Sequence, residues 1–163
     1  MLSLRQLSAS NPQDIDALLL LFEQASDYFH IIEDRPPEYN DAYLTLTELP
    51  LLKGIEDKRC MGFYLDHLLV GCIDMIRGYP ETHIAYLGLI LFSENYQRQG
   101  LGKKGVEYAT QMSKSWGCTM LRLAVIETNQ LAFSFWQRQG FKEIYRKSLL
   151  QYTGQAIVME RHI

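Results

Sequence analysis

The residues best suited to chemistry lie between Phe92 and Gly105. There Gln97-Arg98-Gln99-Gly100-Leu101-Gly102-Lys103-Lys104-Gly105 sets glycines and basic side chains at the start of a helical stretch. The first turn of a helix has N–H groups without partners and carries about half a positive charge, so glycines there let a diphosphate reach the backbone amides. Arg98, Lys103 and Lys104 add local positive charge to a chain whose formal charge is -3. Two nucleotide patterns can be set against this loop. The pattern that ends Gly-Lys-Ser/Thr fails, because Val106 and Glu107 follow Gly105. The pattern G-x-G-x-x-G is met by Gly100, Gly102 and Gly105, with Glu127 near where a ribose-binding acid belongs. Such a loop, however, turns straight out of its strand. Here residues 93–99 intervene, and too little chain follows Glu127 for further strand-helix units.

The elements that must position this loop follow from the apolar pattern. Residues 2–7 alternate like an opening strand, and Ser10 or Asn11 caps a helix with Pro12 in its first turn. Ile15, Leu18, Leu19, Phe22 and Ala25 give that helix one apolar face, and it fades near Tyr28-Phe29-His30. A second helix is expected over 38–48, after the break at Pro36-Pro37. Strands follow over 59–64, 68–77 and 83–92 as an antiparallel meander, and then a helix over 99–116 that ends at Gly117. A strand over 119–126, a short helix capped by Thr128 or Asn129 and closed by Gly140-Phe141, and a hairpin of 142–150 with 155–161 complete the chain.

Composition narrows the partners. With 47% hydrophobic and 21% charged residues, the 163-residue chain reads as one folded domain that buries a core without disulfides or a structural metal. Lys+Arg 16 against Asp+Glu 19 is the wrong sign for a nucleic-acid surface. The longest apolar run, 18–22, is too short to span a bilayer, and the first residues lack the pattern of a secretory leader. Cys60, Cys72 and Cys118 have neither paired spacing nor a His at a metal-ligand interval. The expectation is a cytoplasmic protein with reduced thiols, no metal, no membrane and no nucleic acid. Counting outward from a turn at Asp66-His67 puts Cys60 opposite Ile73 and Cys72 opposite Met61, on opposite faces of the sheet.

Taken as Gln97-x-x-Gly100-x-Gly102, the loop resembles the acetyl-CoA signature of the GNAT superfamily of N-acetyltransferases. Asn129-x-x-Ala132-x-x-Phe135-Trp136-x-x-x-Gly140-Phe141 resembles the second hallmark of that family, and the two motifs fall in its element order. The resemblance implies an α/β (α+β) GNAT fold: a central mixed, mostly antiparallel sheet of about six to seven strands with a splayed parallel pair, flanked by about four helices. It also implies that acetyl-CoA enters between strands 85–92 and 119–126, beside a bulge near 88–91 whose backbone N–H groups act as an oxyanion hole. Ile90, Leu91, Phe92, Gln97, Arg98, Gln99, Gly100, Leu101, Gly102, Lys103, Asn129 and Trp136 are carried over as cofactor-contacting positions.

The resemblance further implies direct attack by an amine on the thioester, which requires a base to neutralise that amine. No carboxylate or imidazole lies between Ile84 and Phe92. The candidates are Glu81 and His83 just before the strand, then Asp74 on its neighbour, and Glu33 or His30 in the helical lobe. Trp136 stands where the family commonly has a tyrosine that protonates the leaving thiolate; an indole cannot do so, and core packing is the other role for it. Tyr96 and Tyr145 are further candidates for that acid. Tyr28, Phe29, Glu33 and Tyr79 form an aromatic, acidic group suited to a small cationic amine. The last hairpin offers an edge for a homodimer. The alternative function is a CoA-binding or regulatory module without transfer activity.

Overall fold

Asn11 starts the first helix as its side chain allows: Oδ1 accepts from the Gln13 N–H at 3.1 Å, with Pro12 in the first turn. The computed structural model describes residues 1–163. In it the chain forms β1 (Leu2–Gln6), α1 (Pro12–Glu23), α2 (Ser26–Glu33), α3 (Tyr39–Thr47), β2 (Lys58–Leu65), β3 (Leu68–Ile76) and β4 (Ile84–Phe92). It continues with α4 (Leu101–Ser115), β5 (Met120–Ile126), α5 (Gln130–Arg138), β6 (Lys142–Lys147) and β7 (Ala156–His162). The helix expected to fade near His30 is in fact two. It breaks at Gln24-Ala25, and the turn brings the Phe29 ring back to 5.1 Å from Phe22. There are thus five α-helices, where about four were expected.

The strands form one seven-stranded sheet in the order β1-β2-β3-β4-β5-β7-β6, antiparallel throughout except where β4 meets β5. This is the expected mixed sheet with one parallel pair. On one face α1, α2 and α3 cover a core built around Leu18, Phe22, Cys60, Cys72 and Leu91. On the other face α4 and α5 cover Phe63, Ile73, Met75 and Leu121, and Trp136 of α5 joins that core. Burying both faces accounts for the near-continuous apolar runs of β3, β4 and β5.

The β2–β3 register differs from the count made outward from the turn. Leu65 pairs with Leu68 and Tyr64 with Leu69, but Phe63 then pairs with Gly71, so Val70 is an extra residue. Cys60 consequently faces Asp74, and Cys72 faces Gly62. A one-residue slip exchanges the faces of a strand, and both thiols lie in the same core beneath α1–α3. Beside the extra residue, the Phe92 ring occupies the space that a side chain at Gly71 would need.

Candidate active site

The parallel pairing of β4 with β5 covers only four residue pairs, from Ile84↔Met120 to Leu87↔Leu123. Beyond Leu87 the strands part. The departure begins at a bulge in β4: Leu87 faces Met75 and Leu89 faces Asp74, leaving Gly88 as the additional residue, within the 88–91 stretch where a bulge was expected. Backbone groups of residues 88–92 and 124–126 that face the gap have no neighbouring strand to bond, so a chain molecule with amides of its own can take that place.

The gap opens into a cleft of about 810 Å³. Its walls include Ile90, Leu91 and Phe92 from β4, residues 123–126 from β5, and Ala132, Phe135 and Trp136 from α5. At one end lies the glycine loop. Gly100, at φ 80°, caps α4, and Arg98 is also left-handed at φ 63°, so the chain turns sharply into the helix and leaves the first amides of α4 open. The Gln97 side-chain amide donates to the Phe92 carbonyl at 2.9 Å and ties the loop to the end of β4. Gly102 packs close to α5: a Cβ there would stand 3.3 Å from the Phe135 ring. Gly105 has a different duty. Its missing side chain makes room for Ile90, so it seats α4 against β4 and does not line the cleft.

Of the twelve positions carried over for the cofactor, all but Gln99 line this cleft. Asn129 is also the N-cap of α5, its Oδ1 accepting from the Ala132 N–H at 3.4 Å. Trp136 is 7% exposed and packs edge-on against Phe135 and Phe141. It therefore belongs both to the core and to the wall. Tyr96 lines the cleft, whereas Tyr145 stands half-exposed on β6.

The opposite end is formed by α2 and the β6–β7 turn. Tyr28, Ile31 and Ile32 meet Tyr86, Leu149 and Tyr152 there. Burial pushes the Tyr86 phenol up to about 12, with Tyr145, Tyr79 and Tyr152 adding to the effect. Burial, Tyr152 and Glu33 likewise hold the Tyr28 phenol well above its ordinary value. At neutral pH these phenols are hydrogen-bond donors in an apolar wall. Ile31 O accepts from Thr153 Oγ1 at 2.6 Å and Thr128 Oγ1 at 3.3 Å, and the two threonine hydroxyls are 2.7 Å apart. Thr153 N–H donates to Ile32 O at 2.8 Å. These bonds clasp α2 to the β5–α5 and β6–β7 loops across the opening.

The acceptor-side and base candidates are only partly brought together. Tyr28 lines the cleft; Phe29 is buried in the core below α2; Tyr79 reaches the site through edge-on contact with Tyr86 at 5.6 Å. Glu33 lies 3.3 Å from Arg35 and acts on the site only through its charge near Tyr28 and Tyr152. Glu81 and His83 stand before β4, at the closed end of the parallel pair, with side chains 67% and 50% exposed and off the cleft wall. Sequence reasoning missed Tyr86 and Tyr152 as lining residues. Tyr86 was legible as an alternating position of β4, whereas Tyr152 sits in a turn whose placement depends on α2.

A second cavity, about 600 Å³, adjoins Arg5, Asp14 and Tyr64, but those groups are committed to one another by an Arg5–Asp14 ion pair at 2.8 Å and an Arg5–Tyr64 bond at 2.6 Å. No group of three His, Cys, Asp or Glu side chains is arranged to hold a metal ion. No helix is long and apolar enough to cross a membrane.

A mixed sheet opened between its two parallel strands, with a glycine-capped helix at the mouth of the opening, is the arrangement that the resemblance to acetyltransferases implied. The chain belongs to the Acetyltransferase (GNAT) family, whose pattern matches residues 21–141. Across 100% of this chain and 97% of the other, it superimposes on an acetyltransferase from Thermus thermophilus with a TM-score of 0.83 and 26% identity. It also superimposes on the PaiA N-acetyltransferase of Thermoplasma acidophilum in complex with coenzyme A (TM-score 0.70, 20% identity, 100% and 99% of the chains), a likeness of fold. A stretch of 64 residues is 33% identical to GCN5-related N-acetyltransferase 4, chloroplastic, of Arabidopsis thaliana; it spans 39% of this chain and 22% of that relative.

Proposed function

We propose that the chain transfers an acetyl group from acetyl-CoA to the primary amine of a small molecule, both bound at once in the cleft. The donor half of this reading rests on fit. The open amides of α4, with Arg98 and Lys103 beside them, would hold the diphosphate. The unpaired edges of β4 and β5 would bond the amides of the pantetheine arm, and Ile90, Val125 and Phe135 would cover its apolar parts. Acetyl-CoA supplies an activated acyl carbon and a thiolate leaving group. Backbone N–H groups at the Gly88 bulge would then stabilise negative charge on the acyl oxygen.

The clasp across the opening carries the acceptor half. With Thr153 and Thr128 bonded to Ile31, the acceptor end is spanned by the clasp and walled by Tyr28, Tyr86 and Tyr152, which supports a compact amine over a polypeptide. Trp136 favours a second reading, a CoA-binding module without transfer, because the side chain at that point cannot protonate a thiolate. We further propose a cytoplasmic setting, consistent with three buried free thiols. β6 is the place for a second copy to add, since all six of its residues are exposed along a free edge.

Calorimetric titration with acetyl-CoA, followed by thiol release against small amines and amino-terminal peptides, tests these readings together. The expected result is binding with release by small amines alone. Binding with no release across the amines points to the module, release by peptides overturns the small-molecule acceptor, and absence of binding retires the transferase.

A further inference from the structure

One buried charge is unaccounted for by donor binding. Asp74, on β3, sits opposite the Gly88 bulge, and the Lys58 Nζ lies 2.8 Å from its Oδ1. The side chains of Asp74 and Lys58 are 13% and 4% exposed. Asp74 Oδ1 is wholly buried. Its other oxygen, Oδ2, occupies the place of the side chain that Gly88 lacks: a Cβ on Gly88 would stand 2.9 Å from it. Gly88 is exposed on the cleft wall, at the point where β4 and β5 part. One oxygen thus faces a buried lysine, and the other backs onto the cleft through a residue with no side chain.

Such pairs are expensive to bury, and hydrophobic replacements of similar volume often serve stability as well. A role beyond packing is therefore worth testing. From this geometry we infer that Asp74 is the carboxylate that takes the proton from the acceptor's ammonium group, with Lys58 positioning it. The inference deepens the transferase reading and rests on it. Asp74 itself lies behind the cleft wall at Gly88, so the ammonium gives one proton to a water at Gly88, that water passes one on to Asp74 Oδ2, and the ammonium becomes a neutral amine. Its nitrogen forms the new C–N bond to the acyl carbon as the C–S bond breaks. The second nitrogen proton is lost as the amide forms and ends on the departing thiolate sulfur, giving the free thiol, and Asp74 returns its proton to water through the open cleft.

The surroundings suit the task. Burial raises the Asp74 carboxyl above the ordinary carboxylate range, Lys58 pulls it back, and Glu48 at the end of α3 pushes it further up. The other titratable groups facing it are the thiols of Cys60 on β2 and Cys72 on β3 itself, both driven upward by burial and so neutral. From β4 it faces Gly88 and Leu89, neither of which titrates. The carboxyl is a stronger base than a surface aspartate, with Lys58 opposing the rise that burial causes.

The test uses the full chain with saturating acetyl-CoA, and butylamine and phenethylamine as acceptor probes. Thiol release is read across pH, acetyl-CoA affinity is read by calorimetry, and the Asp74 carboxyl is followed by NMR in aspartate-labelled protein. Asp74→Asn is expected to lower kcat about 10²- to 10⁴-fold and to abolish the acidic limb of kcat/KM while acetyl-CoA affinity stays near that of the parent. Lys58→Met keeps the carboxylate but removes its cation, so the acidic limb moves to higher pH, a change a purely structural role would not produce. If Asp74→Asn alone fails to fold with Lys58 unpaired, the double variant Lys58→Met/Asp74→Asn carries the same expectation. An unaltered limb and parental kcat in either variant overturns the inference while leaving the transferase standing. If acetyl-CoA binds but neither probe turns over, the NMR titration decides: a bound ammonium must lower the pH at which Asp74 protonates, and no movement overturns the inference. Failure to bind acetyl-CoA at all retires the transferase and this role with it.

Discussion

Gly102 stands where α4 begins and α5 passes, with room for a small side chain if the Phe135 ring gives slightly. A carboxylate there is compatible with folding, because acidic groups in the first turn of a helix favour its dipole. It also points negative charge at the amides proposed to hold a diphosphate. Gly102→Asp should therefore keep its urea midpoint while acetyl-CoA affinity falls by about 3 kcal/mol, roughly a hundredfold, from like charges a few ångströms apart in a partly screened site. Calorimetry on the folded variant checks this, and unchanged affinity would move the diphosphate elsewhere. Trp136 poses a different question, because one ring serves both core and cleft. Trp136→Ala should cost about 3–5 kcal/mol by opening a cavity among Phe135, Phe141 and β5. Trp136→Tyr and Trp136→Phe should lose similar, smaller amounts of stability, so any gain in turnover of the tyrosine over the phenylalanine variant isolates the hydroxyl as a proton donor.

Among the elements, α2 is the one whose place is fixed from farthest away. Thr128 and Thr153 hold its carbonyls from two loops that come about a hundred residues later in the chain. Thr153→Val should remove about 1 kcal/mol of clasp, speed amide exchange in Ser26–Glu33 and admit longer amines, while exchange in β2 and β3 stays slow. Mass-resolved hydrogen exchange with the amine panel measures both effects, and faster exchange throughout the sheet would show the change to be global. The same distance explains what the sequence could and could not disclose. The glycine loop, the Asn129 cap and the Gly140-Phe141 closure are local grammar: Phe141 N–H bonds Trp136 O at 3.1 Å and Gly140 N–H bonds Gln137 O at 3.0 Å, as the residue types demand. The break between α1 and α2 falls inside an unbroken apolar pattern and is settled by how Phe29 packs on Phe22. The shifted β2–β3 register rests on one extra residue, Val70, inside an apolar run that carries no local mark of it. Likewise, Tyr152 and Ile31 share the cleft wall across the clasp, and no spacing rule connects them.

For the molecule as a whole, acid should loosen the helical lobe first. Arg35 grips Asp41 through two bonds of 2.7 and 2.8 Å and bridges the α2–α3 turn. Burial alone would raise the Asp41 carboxyl, yet Arg35 and the Glu38 N–H hold it below its ordinary value. A carboxyl lowered in the folded state contributes stability that is whole above its unfolded value, near 4, and is lost as pH falls through the folded one. The urea midpoint should thus decline below about pH 4, and Asp41→Asn should be less stable at neutral pH but flatter across that acid range. Parallel declines in the two proteins would assign the acid sensitivity to other groups.

The split sheet has a mechanical consequence. Strands β1 to β4 form one leaf and β5, β7 and β6 the other, and the leaves are bound along a spine of four residue pairs, against eight within the β2–β3 hairpin. A ligand lodged between the leaves acts as their missing rungs, so the protein's resistance to heat becomes a readout of occupancy: a donor present at a hundred times its dissociation constant adds about 2.7 kcal/mol. Bound acetyl-CoA, on the function proposed above, should therefore raise the melting temperature and slow proteolysis of the chain, and a melt with and without it measures the effect.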